Sequence, residues 1–88
     1  MIKLVSAHLL HDRVLRLVFS DGSEGDFDFE SRLARDTALT RPLAVPEYFA
    51  RFFLELGALG WPNGLEFSAR SLHEDLKQAG ILRHDATV

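Results

Sequence analysis

The sequence predicts an α+β domain, a small and mostly antiparallel sheet of about five strands packed by helix. Three observations predict it: two branched apolar runs followed by a strictly alternating one at the N-terminus, a second hairpin bracketed by glycines that ends in Trp61-Pro62-Asn63-Gly64, and one well-capped helix from Ser68 to Ala79.

The runs Ile2 to Leu10 and Arg13 to Ser20 are rich in β-branched and aliphatic residues and are separated by His11-Asp12, which reads as a hairpin. In the second run Leu15, Leu17 and Phe19 share one face, while Val14 and Val18 flank Arg16 on the other. Apolar groups on both faces place that strand at the centre of a sheet. Asp21-Gly22 marks the next turn, and Gly25-Asp26-Phe27-Asp28-Phe29-Glu30 then alternates. Phe27 and Phe29 fall on one face, and Asp26, Asp28 and Glu30 on a wet one. Between Glu30 and Leu43, charged residues interrupt Leu33 and Leu39, giving a connector. Pro46 suits a first helical turn, so a short helix is expected near Tyr48. Phe52 to Leu56 reads as a strand that bends near Gly57 and returns through Leu59 to Trp61. Pro62 has no amide hydrogen for a ladder, and Asn63-Gly64 favours a tight turn with positive backbone angles. Ser68 is a good N-cap, Leu72, Leu76 and Ala79 repeat on one helical face, and Gly80 is a natural stop. Residues 1–82 are expected to form one domain and residues 83–88 a frayed tail.

Composition limits the function classes. A chain of 88 residues holds one core, and 47% hydrophobic with 26% charged residues is the balance of a folded globular protein. The absence of cysteine removes disulfides, thiolate nucleophiles and cysteine-zinc sites, which makes the reducing cytoplasm the expected location. No apolar run approaches the ~18 residues of a membrane span. A net charge of −3 argues against a nucleic-acid partner, because such domains carry a basic excess for phosphate.

Motifs for chemistry are sparse. Asp21, Asp26 and Asp28 invite a hard cation, and with a histidine they form the alternative reading of a small metal-dependent hydrolase. Their spacing does not follow the calcium-loop pattern, and a row of acids on a strand also keeps a sheet soluble and unpaired at its edge. Of the four histidines, His73-Glu74 opens like a zinc-protease helix, but Lys77 stands where the second histidine belongs. No phosphate loop, dinucleotide fingerprint or Gly-x-Ser-x-Gly elbow is present. Trp61, between Gly60 and Pro62, is either core or a half-exposed contact at a strand end.

Ser20-Asp21-Gly22 after a strand, Asp26 and Asp28 in the next, Pro46-Glu47-Tyr48-Phe49, and Trp61-Pro62-Asn63-Gly64 before a terminal helix together resemble the bacterial domain-of-unknown-function family numbered 2442, over residues 4 to 76. Where that family usually continues Asn-Gly-Ala-Asp, this chain has Asn63-Gly64-Leu65-Glu66. The resemblance implies a small α+β protein with no activity and no catalytic residues to carry over. Some relatives resemble the front half of longer proteins with a helix-turn-helix domain, and others look like small partners encoded beside another short protein, as in toxin-antitoxin pairs. The expectation is a non-enzymatic, accessory, antitoxin-like or regulatory module without cofactor. Its partner is another protein encoded nearby or a second copy in a homodimer, and Trp61, Asn63, Asp21, Asp26 and Asp28 are its candidate contact residues.

Overall fold

The computed structural model describes residues 1–84; the part of the expected tail at residues 85–88 lies outside the described residues. In chain order the elements are β1 (Leu4–His11), β2 (Val14–Phe19), β3 (Ser23–Asp28), α1 (Glu30–Leu33), a 3-10 turn (Arg41–Ala44), α2 (Pro46–Phe49), β4 (Phe53–Glu55), β5 (Ala58–Gly60), β6 (Glu66–Phe67), α3 (Ala69–Gln78) and β7 (Arg83–His84). The α+β class holds. The strands divide between two antiparallel sheets, one ordered β1-β2-β3-β7 and the other β4-β5-β6.

β2 is central, as its two apolar faces require, with Leu15, Leu17 and Phe19 buried. β1 meets it through two register shifts that leave Val5 and Leu10 as extra residues. Such bulges bend a strand and interrupt its ladder. The two sheets touch where the Leu4 N–H donates to the Gly57 carbonyl at 2.9 Å, and the bulge at Val5 follows at once, so this contact does not extend into a single sheet.

Aromatic packing joins the two layers instead. The Phe29 ring lies 4.6 Å from Phe27, 5.6 Å from Phe67 and 5.8 Å from both Phe49 and Trp61, centroid to centroid. One ring therefore contacts β3, α2 and both ends of the β5–β6 turn. α3 closes the open side of the first sheet: the Ser68 hydroxyl accepts from the Ser71 N–H at 3.2 Å, and Leu72 and Leu76 are buried. The helix comes so close to β3 that a Cβ on Gly25 would stand 3.0 Å from the Leu76 side chain. Ala79 is exposed at the helix end, and Ala69 takes the third buried position.

Three expectations change. β3 ends at Asp28, because the Asp28 carboxylate accepts the Glu30 N–H at 3.0 Å and turns the chain into α1. Glu30 therefore begins a helix and Phe29 precedes it; neither extends the strand. Arg83 and His84, expected in the tail, instead form a short strand that pairs with Glu24 and Ser23. The turn after Trp61 is also of another type. The Gly64 N–H bonds the Trp61 carbonyl at 3.0 Å, and Gly64 has φ +93° while Asn63 does not have a positive φ. Pro62 at the second turn position imposes its own negative φ, so the positive angle moves one residue on, to glycine.

Candidate functional site

The acids of β3 do not converge. Asp26 forms a two-point ion pair with Arg16 on β2, with Oδ1 2.9 Å from Nε and Oδ2 3.2 Å from Nη2. That guanidinium bond is the main reason the Asp26 carboxyl lies below its usual range, and Arg16 is raised in return. Glu24 pairs with Arg83 at 3.0 Å, which fastens β7 to the sheet edge. Asp28 is engaged with the Glu30 N–H. Among the described residues, no three His, Asp or Glu side chains are placed to hold a metal ion.

Asp21 is held most firmly. It precedes β3 in the Phe19–Gly22 turn, and its Oδ1 accepts from both the N–H and the hydroxyl of buried Ser23. Its Oδ2 stands 3.0 Å from His73 Nε2 on α3 and 3.8 Å from His84 Nε2 on β7. The His73 ring packs edge-on against Phe19, with centroids 5.0 Å apart. Burial raises the Asp21 pKa, but the Ser23 bonds and then His73 outweigh it and bring the carboxyl down to about 2 from its ordinary 3.8. A carboxyl lowered on folding adds stability above its unfolded pKa and loses it as the pH falls through the folded value. The urea midpoint of the native chain is thus expected to fall between pH 4 and pH 2 more steeply than that of Asp21→Asn. Parallel curves would show that the ionised carboxylate adds nothing.

Trp61 and Asn63 serve the fold. Trp61 is 1% exposed, and its indole Nε1–H donates to the Phe49 carbonyl at 2.9 Å, so of its two readings the core one applies. Asn63 has no free side-chain group: Nδ2 donates to the Leu39 carbonyl at 3.0 Å and Oδ1 accepts from the Leu65 N–H at 3.1 Å. The Asn63 N–H donates to the Tyr48 hydroxyl at 2.9 Å. The turn thereby ties β5 to α2 and to the loop before the 3-10 turn. Of the expected contact residues Trp61 alone is buried; Asn63 is exposed with its side chain engaged, Asp21 and Asp28 are exposed, and Asp26 is half-buried.

A concavity lies away from these residues. A groove of about 660 Å³ runs between residues 1–3, the β4–β5 turn and the first two turns of α3, with Lys3, Leu56, Ala58, Arg70, His73 and Glu74 among its walls. Sequence reasoning missed it because its residues come from three distant segments. One signal was legible: Leu56-Gly57 fills a two-residue hairpin turn where Asn-Gly is preferred.

The geometry defines a small two-sheet α+β domain in which Asp21 and the β3 acids are engaged within the fold and Trp61 belongs to the core. The chain belongs to the family described as Protein of unknown function (DUF2442), which matches residues 4–78. No curated protein and no solved structure matches it. Among the described residues no helix is long and apolar enough to cross a membrane.

Proposed function

We propose that the domain is a non-catalytic interaction module of the accessory, antitoxin-like or regulatory kind, which engages another protein, a second copy included, through the free edge of β1. One observation carries the reading. Beyond Leu4, β1 has no strand on its outer side among the described residues, and from Leu4 to His11 it contains no Lys, Arg, Asp or Glu. Edge strands are ordinarily blunted by such charges or by bulges, and β1 has only the latter, at Val5 and Leu10, with a regular run from Ser6 to Leu9 between them. Here Val5, Leu9 and Leu10 are instead 58%, 43% and 40% exposed. A strand that offers free backbone groups and apolar side chains together suits pairing with another strand.

The engaged acids agree with this reading, since Asp26 and Asp21 are committed to Arg16 and Ser23. Sedimentation velocity of the chain alone, and of the chain co-expressed with the product of the adjacent gene, tests it. The expected result is a dimer or a stoichiometric complex that Leu10→Lys weakens at least about tenfold, because a charge then enters the paired edge. A chain that stays monomeric and uncomplexed in both settings refutes the reading.

A further inference from the structure

The β4–β5 turn is built against its own stability. Leu56 and Gly57 sit at φ +52° and +82°, the left-handed pair of a type I′ turn, for which asparagine or aspartate is favoured at the first position. A leucine there is strained, because its Cβ crowds the backbone. It gains nothing from burial, since Leu56 is 95% exposed. Strain held at a surface position points to a use at that position.

The surroundings of Leu56 say what it meets. Most arginines of this acidic chain are committed: Arg16, Arg32, Arg41 and Arg83 to carboxylates, and Arg13 to the carbonyls of Leu43 and Ala44. Lys3 and Arg70, which line the groove together with Leu56, form no ion pair among the described residues. Glu74 is the one acid on the walls, and it accepts from Gln78 at 3.3 Å. Ile2, Ala58 and Ala69 add apolar surface to the lining. Two uncommitted cations beside an exposed leucine and apolar lining complement a ligand that is both acidic and apolar. The volume falls within the range of about 300–1,000 Å³ that binding clefts occupy.

We infer that this groove docks an acidic segment of a partner protein, with an apolar side chain of that segment packed on Leu56 and flanking carboxylates paired to Lys3 and Arg70. The inference goes beyond the reading of the β1 edge and rests only on its premise that the domain binds protein. The side chain of Lys3 lies over Gly57, where an added Cβ would stand 2.8 Å from Lys3 Cβ and Cγ. The cation and the leucine turn are thus held against each other before anything binds.

The test uses the whole chain and two synthetic peptides, acetyl-Glu-Asp-Leu-Leu-Glu-Glu-amide and the same sequence with lysine at every acidic position. Binding is followed by amide chemical shifts and by fluorescence anisotropy. The acidic peptide is expected to saturate with a dissociation constant below about 1 mM. Shifts should centre on Lys3, Leu56, Arg70 and His73, and the lysine peptide is expected not to bind. Leu56→Asn is the informative variant: thermal stability stays equal or rises, because strain is relieved, while affinity falls at least about tenfold. The Lys3→Glu, Arg70→Glu double variant is expected to lose binding with its fold intact. No saturation, equal binding of the lysine peptide, or unchanged affinity in Leu56→Asn would each overturn the inference. Leu10 stands near the far end of β1 from Lys3, so the two surfaces fail separately. Loss of the edge association with peptide binding kept leaves the groove standing, and the converse removes the groove alone.

Discussion

Trp61→Ala is expected to remove a large share of the domain's stability and to lower its urea midpoint sharply. The indole is 1% exposed, its Nε1–H satisfies the Phe49 carbonyl, and its ring contacts Phe29, Phe49 and Phe67 at 5.7–6.0 Å. Removing such a ring costs about 3–5 kcal/mol from lost apolar transfer and the cavity left behind. A domain of this size has about 5–15 kcal/mol in all. Urea denaturation followed by far-ultraviolet circular dichroism measures the loss, since the native chain has this one tryptophan and the variant none. Trp61→Phe separates the two contributions. It keeps a ring but leaves the Phe49 carbonyl without its donor, and is expected to cost about 1–3 kcal/mol for that bond. A Trp61→Ala chain that denatures at the native midpoint would return Trp61 to the contact role.

Gly57→Ala is expected to cost about 2–5 kcal/mol and to act on the joint between the sheets. A side chain at φ +82° is strained by about 1–2 kcal/mol. The added methyl would stand 2.8 Å from Lys3 Cβ and Cγ, close to the backbone of residue 3 where little can move, which adds about 1–3 kcal/mol of overpacking. Because the Gly57 carbonyl accepts the Leu4 N–H, the displacement opens that bond. Hydrogen exchange at the Leu4 amide is the readout, and it is expected to quicken more than exchange in β2. An unchanged rate at Leu4 with an unchanged urea midpoint would show that the turn adapts without loss.

Much of the fold was legible where local chemistry decides it. β2 reads from its two apolar faces, α3 from Ser68 and the spacing of Leu72 and Leu76, and α2 from Pro46 at its first position. The rest depends on partners distant in the chain. β7 has two residues and no apolar side chain, and what holds it is Glu24, 59 residues earlier. The split into two sheets turns on a bulge at Val5, which a run of good strand formers does not announce. α1 was hidden because Phe29 and Glu30 continue the alternation of β3, while the Asp28 carboxylate bends the backbone at that point. The candidate contacts divide on similar grounds. The composition of β3 showed which residues are acidic but not that Arg16 and Ser23 engage them, and Trp61 was undecided until its neighbours were in place. The groove has only the unusual Leu56-Gly57 turn as its mark in the sequence, since Lys3, Leu56 and Arg70 share no pattern.

The Lys3 N–H donates to the Ser20 hydroxyl at 3.0 Å, the Ser20 N–H donates to the Lys3 carbonyl at 2.7 Å, and His84 reaches within 3.8 Å of Asp21 next door. The chain thus enters and leaves the described fold at a single corner. A unit with its two ends side by side can be spliced into a surface loop of a larger host without separating the strands of that host, or rejoined end to end and reopened elsewhere. The corner lies beside Asp21 and His73, so the size and charge of a group held close to it can influence the groove that His73 borders.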